Sequence, residues 1–235
     1  MRLDQYLTQH FDIQSRNKAQ EIIKSKKVKI DGKIVLKPSM IVDEKSTIQL
    51  LEEDFYVSRA AYKLKYFLDE IKLDINNLNA LDIGSSTGGF TQILLENGTK
   101  KVTCVDVGSN QLHQKIKNDK RIEFFENQDI RTFESSNSFD IITCDVSFIS
   151  ILNILNDINR LSKNKIIILF KPQFEVGTNI KRDKKGVVKD KKAIVNARTK
   201  FLDTCELLSW KLNYNSISKL EGKDGNEEEL FYFNK

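Results

Sequence analysis

The stretch Ala80-Leu81-Asp82-Ile83-Gly84-Ser85-Ser86-Thr87-Gly88-Gly89-Phe90 reads as an apolar strand, a glycine-rich turn and the start of a helix. In an open α/β sheet such a turn lies at the carboxyl end of a strand, where these folds bind ligands. Glycine there lets the backbone turn sharply and approach a ligand closely. The spacing Gly84-x-x-x-Gly88-Gly89 is not the Gly-x-Gly-x-x-Gly of dinucleotide enzymes, and no Lys-Ser/Thr pair follows as in a phosphate loop. A nucleoside-type ligand without a pyrophosphate remains, with S-adenosylmethionine the first candidate. A plain strand-to-helix connection is the competing reading.

Two acidic residues extend the pattern. Lys101-Val102-Thr103-Cys104-Val105-Asp106 is a second short strand ending on a carboxylate that can accept from both ribose hydroxyls of a nucleoside. A helix N-cap before Val107-Gly108-Ser109 is its alternative role. Asp129, after the strand Arg121 to Glu126, puts another carboxylate at the next strand tip, where an adenine amino group could lie; a turn cap is equally open to it.

The chain has 235 residues, enough for one domain of ordinary size and a small one, and 40% apolar content with 14 Phe supplies a core. No apolar run approaches a membrane span; Ile166 to Phe170 is the longest candidate. Met1-Arg2-Leu3-Asp4-Gln5 lacks the apolar core of a signal segment. Cys104, Cys144 and Cys205 are odd in number and widely spaced, which reads as buried reduced thiols in a cytoplasmic protein without a structural metal. The net charge of +5 is unevenly placed. Residues 1–37 hold nine Lys/Arg against four Asp/Glu, and the remainder carries 29 of each. A basic small module on a neutral body suggests a polyanion-gripping arm.

That module begins with helical apolar spacing at Leu3, Tyr6 and Leu7. Ser15 can cap a second helix, Arg16 to Lys24, with Ala19, Ile22 and Ile23 inward. Val28 to Val35 alternates around Asp31-Gly32 as a β-hairpin should. The outward residues are Arg16, Lys18, Lys24, Lys27, Lys29 and Lys33. On Arg2-Leu3-Asp4, Ser15-Arg16-x-x-Ala19 and Val28-x-Ile30-Asp31-Gly32-Lys33 the module resembles the S4 RNA-binding domain. A glycine usual before the hairpin of such domains is replaced by Lys26 or a neighbour; a lysine in a left-handed conformation would be mildly strained, so a different turn is expected there.

From Ser58 onward helices and strands alternate as in a doubly wound sheet. The predicted strands are Ala80 to Ile83, Val102 to Asp106, Ile122 to Glu126, Phe139 to Asp145 and Lys165 to Lys171, with Leu212 to Leu220 and Glu228 to Phe233 as a terminal hairpin. Ile141-Ile142-Thr143-Cys144-Asp145 ends on a carboxylate, and Ile166-Ile167-Ile168-Leu169-Phe170-Lys171-Pro172 on a lysine. A lysine ending an apolar strand is costly to desolvate unless it is paired or neutral. If the two strands are neighbours, Asp145 and Lys171 meet at the cofactor site, as catalytic groups or as a structural ion pair.

Across essentially the whole chain the sequence resembles the TlyA (hemolysin A-like) family of ribosomal RNA ribose methyltransferases. The motifs are Val57-Ser58-Arg59-x-x-x-Lys63-Leu64, Leu81-Asp82-Ile83-Gly84-x-Ser86-Thr87-Gly88-Gly89-Phe90-Thr91, Val105-Asp106-Val107-Gly108, Asp145-Val146-Ser147-Phe148-Ile149-Ser150, Lys171-Pro172-Gln173-Phe174-Glu175, Gly186-Val187-Val188 and Gly225-Asn226-x-Glu228. The resemblance implies an α/β protein: a small α+β S4 RNA-binding domain (1–50), a linker (51–57) and a doubly wound, Rossmann-like, FtsJ-like methyltransferase sheet (58–235). It implies S-adenosylmethionine-dependent 2′-O-methylation of cytidine in ribosomal RNA, with Lys63, Asp145, Lys171 and Glu228 as the catalytic set. Among the consecutive Glu227, Glu228 and Glu229, the position relative to Gly225-Asn226 selects Glu228. The cofactor set is Asp82, Gly84, Ser86, Thr87, Gly88, Gly89, Phe90, Asp106, Asp129 and Asp145. Arg2 and Arg59 join the six outward basic residues on the RNA side. Ala60-Ala61 departs from the two glycines usual in the family.

A ribose 2′-hydroxyl is a very weak acid and the sulfonium a good leaving group, so the protein must position both and remove a proton. Lys171 is the expected base, Asp145 its orienter, and Lys63 and Glu228 the ribose anchors. The lysine-rich loop Lys181 to Lys192 is a further expected clamp on RNA phosphate. The large ribosomal subunit is the expected substrate ahead of the small one, because the chain begins directly at the S4 motif. A non-catalytic RNA-binding assembly factor is the alternative. A membrane-active haemolysin is disfavoured by the missing span and amphipathic basic helix, and a nicotinamide oxidoreductase by the glycine spacing.

Overall fold

The computed structural model describes residues 1–11, 13, 15–43, 46–51 and 56–235. The chain divides into two units, Met1–Phe55 and Tyr56–Lys235. Of the expected linker 51–57, residues 52–55 lie outside the described residues.

In the first unit, helices α1 (Leu3–His10) and α2 (Arg16–Lys24) pack on a small antiparallel sheet. Its strands are β1 (Val28–Ile30), β2 (Lys33–Ile34) and β3 (Ile48–Leu50), in the order β2-β1-β3. The spacing read from the sequence closes the core: Leu3 and Leu7 of α1 meet Ala19, Ile22 and Ile23 of α2 over Val28 and Ile30. Ser15 caps α2, its hydroxyl accepting from the Lys18 amide at 3.3 Å. The β1–β2 turn uses Asp31 and Gly32 with φ of 50° and 79°, the paired left-handed residues of a tight hairpin. The turn between α2 and β1 does not differ as expected: Lys26 itself takes the left-handed conformation, with φ of 64°, and bears the mild strain that a glycine would avoid. Strand β3 was not expected; three residues of isolated alternation leave no periodic signal.

The second unit is a seven-stranded sheet in the order β6-β5-β4-β7-β8-β10-β9. The strands are β4 (Asn79–Ile83), β5 (Lys101–Val105), β6 (Ile122–Phe125), β7 (Phe139–Cys144), β8 (Ser162–Phe170), β9 (Lys211–Ile217) and β10 (Glu229–Asn234). Strands β4 to β8 are parallel, and β10 inserts antiparallel between β8 and β9. The helices that bear on the site are α3 (Arg59–Ile71), α4 (Gly89–Glu96), α5 (Gln114–Lys117), α6 (Leu155–Leu161), α7 (Pro172–Glu175) and α8 (Lys191–Leu207). From β4 the chain winds outward through β5 and β6, then returns to β7 on the other side. The crevice for a ligand therefore opens at the β4/β7 switch point.

Alternation sorts the central strands onto two buried faces. Leu81, Ile83, Ile142, Cys144, Ile166, Ile168, Phe231 and Phe233 pack with Phe201 and Trp210 on one side. Ala80, Val102, Ile141, Ile167, Leu169 and Leu230 pack with Leu64 and Phe67 of α3 and Phe90 and Leu94 of α4 on the other. Among the described residues no helix is long and apolar enough to cross a membrane.

Asp82 departs from its expected place in the cofactor contact set. It is fully buried in mid-β4 and accepts from the hydroxyls of Thr91 on α4 (2.6 Å) and Thr143 on β7 (2.9 Å). It ties the helix after the glycine turn to two strands. Burial pushes its carboxyl up to about 6, against the pull of the two hydroxyls.

Two outcomes follow. Lys26→Gly relieves the left-handed lysine and is expected to stabilise the first unit by about 1 kcal/mol in urea unfolding. The raised pKa of Asp82 gives a stability contribution complete below about pH 4 and lost as pH rises through about 6. The unfolding free energy of wild type should therefore fall relative to Asp82→Asn across that window and run parallel to it above. A pH-independent difference would show that Asp82 ionises as freely in the fold as in the open chain.

Candidate active site

Every parallel strand that borders the switch point ends beside one opening. A cavity of about 670 Å³ there is lined by Gly84, Ser86, Asp106, Gly108, Gln111, Asp129 and Asp145, with Val105, Ile130, Val146, Ile149 and Ile154 as apolar walls. Gly84 makes the cavity possible. It has φ of 74°, and a Cβ there would sit 2.9 Å from the Asp145 carbonyl oxygen. The β4 and β7 tips could not approach each other with any larger residue. Asp106 joins two backbone loops, accepting from the Ser86 amide (2.8 Å) and the Gly108 amide (2.7 Å) on separate oxygens. Each oxygen keeps a second lone pair for a diol on the cavity side. The open glycine approach, this carboxylate and the apolar walls match the methionine, ribose and adenine parts of S-adenosylmethionine, and the volume suits a ligand of that size.

Asp129 reaches the same rim but is engaged: Arg131 takes both of its oxygens (2.6–3.1 Å) and donates its amide to Oδ1. The Arg131 guanidinium holds the Asp129 carboxyl below the usual carboxylate range. Its turn-capping role is thus realised, and its neighbours Gln128 and Ile130 line the cavity with it.

A second cavity, about 460 Å³, adjoins the first and is ringed by charge: Arg59, Lys63, Asp145, Lys171, Arg182, Lys223, Asp224 and Glu228. Asp145, Ser147 and Phe148 line both cavities. Strands β7 and β8 are neighbours, so Lys171 Nζ meets Asp145 Oδ1 at 2.6 Å and donates to Ser147 Oγ at 2.8 Å. The register of β10, with Glu229 opposite Phe170, delivers Glu228 to the same edge. There Glu228 pairs with Lys63 Nζ at 2.5 Å and accepts from Gln173 Nε2 at 3.2 Å. Glu229 points elsewhere, into a two-bond pair with Arg198 (2.8 and 2.9 Å). Lys63, Lys171 and Glu228 are all buried. Burial pushes the Asp145 carboxyl above its usual range, opposed by Lys171.

Lys63 arrives through packing. A Cβ on Gly89 would meet Ser58 Oγ at 2.1 Å and the Ala61 amide nitrogen at 2.9 Å, so α4 and α3 touch at their amino ends. Small residues at 60 and 61 complete that contact, which sets α3 and hence Lys63. Gly88, with φ of 88°, faces Ile116 and Leu112. Gly88, Gly89, Thr87 and Phe90 therefore lie off the cavity lining; Gly84 and Ser86 are the members of the glycine turn that reach it.

Of the basic residues expected to bind RNA, Lys24 and Lys33 are exposed and Lys27 and Lys29 half-buried, while Lys18 pairs with Glu21 at 3.3 Å. Arg2 and Arg16 converge on Asp4. Arg59 lines the charged cavity, donating to the Glu221 carbonyl at 3.4 Å. Some residues had no role in the sequence reading. Ser147 orients Lys171. Glu175 binds Ser150 Oγ (2.6 Å) and the Ile151 amide (2.9 Å), locking the Lys171 motif to the Asp145 motif. Asn226 accepts from the Val188 amide at 3.0 Å. All three stand inside the quoted motifs, the one signal that could have found them.

Known proteins place the chain in a family. An S4 domain family model matches residues 1–48 and an FtsJ-like methyltransferase family model residues 56–235. The chain is 48% identical over 252 residues to the 23S rRNA (cytidine-2′-O)-methyltransferase TlyA of Campylobacter jejuni, covering 99% of each chain. It is 32% identical to the 16S/23S rRNA (cytidine-2′-O)-methyltransferase TlyA of Mycobacterium tuberculosis, over 97% of this chain and 87% of the relative. A solved hemolysin-named protein of Streptococcus thermophilus superposes with a TM-score of 0.74 at 29% identity, over 100% of this chain and 88% of the other. The chain belongs to the TlyA family, in which an S4 domain precedes an FtsJ-like, S-adenosylmethionine-dependent methyltransferase body.

Proposed function

We propose that this enzyme methylates the 2′-hydroxyl of a cytidine in ribosomal RNA, on the large subunit ahead of the small one, in the cytoplasm. The observation that carries this reading is the shared wall: Asp145 and Ser147 border both the cofactor-sized cavity and the charged pocket. A methyl donor in the first and a ribose in the second would meet beside Lys171. Bound S-adenosylmethionine supplies an activated methyl group and departs as a neutral thioether. The protein's work is to bring the ribose oxygen into line and accept its proton.

For this Lys171 must first release its own ammonium proton to solvent; as the free amine, held by Asp145 and Ser147, it would take the 2′-hydroxyl proton as the ribose oxygen receives the methyl group, and return it to solvent afterwards. Asp145 and Ser147 hold the amine at the junction. Lys63 and Glu228, already paired, position the ribose hydroxyls, and Gln173 fixes Glu228. No covalent enzyme intermediate and no metal enter the step. Residues 1–50 act as the RNA-binding module and 58–235 as the catalytic one. The basic residues of the first module position RNA through phosphate contacts, which carry no sequence information themselves. Loop 181–192 is suited to help: Asp183 accepts from the Lys185 and Val187 amides and pairs with Lys189 at 3.6 Å, Asp190 accepts from the Ala193 amide, and Lys181, Lys184, Lys185, Lys191 and Lys192 are exposed. The large-subunit assignment is supported by the Campylobacter jejuni relative, whose name specifies 23S rRNA.

The test is transfer of labelled methyl from S-adenosylmethionine to unmodified 50S subunits, 30S subunits and free ribosomal RNA, with Lys171→Ala in parallel. Label is expected in the large subunit, resistant to alkali at one ribose. Lys171→Ala should lower kcat by about 10²-fold or more while cofactor affinity stays near wild type. Cofactor binding without transfer to any substrate would instead favour a non-catalytic assembly factor.

A further inference from the structure

Asp4 lies in the first turn of α1 with its side chain wholly buried, and what buries it is a set of donors. Its Oδ1 accepts from Arg2 Nε at 3.0 Å. Its Oδ2 accepts from Arg2 Nη2 (3.0 Å), Arg16 Nη2 (3.1 Å) and Gln20 Nε2 (2.9 Å). The Arg2 guanidinium, with Gln20 and Arg16, holds the Asp4 carboxyl well below the usual carboxylate range, so it is ionised at any working pH. Arg2 and Arg16 remain 42% and 53% exposed. Arg2 thus spends Nε and Nη2 on the buried carboxylate and Arg16 its Nη2, while much of each side chain stays open to solvent.

An acidic residue in a first helical turn is explained by the helix dipole alone. That does not account for two arginines, one preceding α1 and one opening α2, meeting on one oxygen. Two cations and one anion leave a net charge of +1, the complement of a single phosphodiester. The free N–H edges have the planar fork that matches two phosphate oxygens. Fixing both side chains before binding removes the entropy cost of ordering them on the ligand.

We propose that Arg2, Asp4 and Arg16 form one preassembled clamp for a single phosphodiester of the RNA backbone, with Asp4 as its positioning residue. This rests on the RNA-binding reading of the first unit. It differs from a reading in which Arg2 and Arg16 are independent surface charges, because the two readings predict opposite signs for one substitution. Asp4→Asn adds a unit of positive charge. Independent charges would then bind RNA more tightly, whereas the clamp, having lost its anchor, binds less tightly.

The experiment measures affinity of the full chain for an unmodified large-subunit ribosomal RNA transcript across a salt series. The variants are Asp4→Asn, Arg16→Lys and the Arg2→Ala/Arg16→Ala pair, with circular dichroism melts as the folding check. The clamp predicts about a ten-fold loss for Asp4→Asn. Arg16→Lys keeps both the charge and the Arg2–Asp4 pair, so it carries the test if Asp4→Asn fails to fold; a loss of about three-fold or more is expected. The double alanine variant should lower the salt slope by about 0.7–0.9, the value of one phosphate. A folded Asp4→Asn that binds as well as or better than wild type, an Arg16→Lys with wild-type affinity, or a slope change twice that size would overturn the clamp. Absence of wild-type binding would overturn the RNA reading itself and the clamp with it.

Discussion

The Asp145–Lys171 ion pair, closed at 2.6 Å across the tips of two adjacent parallel strands, is the constraint to which the rest of the site is fitted. A buried pair of this kind adds little net stability, since desolvation largely offsets the attraction. Removing one partner is another matter, costing about 3–5 kcal/mol because a lone charge stays behind. What the pair secures is geometry: an amine fixed at the wall between two cavities. Ser147 completes the hold on that amine, and Glu175 locks the two motif loops together from outside the cavity.

The fold brings the remaining charges to that wall by three different routes. Glu228 comes through the antiparallel register of β10 against β8, which places a residue just before the strand at the carboxyl end of its neighbour. Lys63 comes through a helix contact so close that only glycine at position 89 permits it. Asp145 comes from β7, whose tip Gly84 allows to nestle against β4. Beneath them Asp82 fastens α4 to β4 and β7. One short motif, Asp82 to Thr91, therefore serves both the cofactor cavity and the scaffold of the catalytic pocket.

Much of this was legible in the chain. The alternation of apolar runs and turns marked the parallel strands, and Asp106, Asp145 and Lys171 stood at their ends as the sequence pattern suggested. The division of labour among the glycines was not legible. Gly84, Gly88 and Gly89 look alike in sequence, yet the first faces the cavity while the others answer to Ile116, Leu112, Ser58 and Ala61, neighbours far along the chain. Asp82 likewise reads as a ligand contact but is committed to two threonines, and Asp129, which does line the cavity, is also held by Arg131. Side-chain partners of this sort depend on packing, and no local period records them. Glu228 was separable from Glu227 and Glu229 by motif position, but its ion pair with Lys63 follows from strand register.

The central claim is that the two cavities form one reaction site joined at Asp145 and Ser147. A crystal structure of the enzyme with S-adenosylmethionine bound tests it most directly. The ribose hydroxyls are expected on Asp106, with the sulfonium methyl directed across the shared wall toward Lys171 and the charged pocket. A methyl group directed away from that pocket, or a cofactor seated outside the β4/β7 crevice, would contradict it.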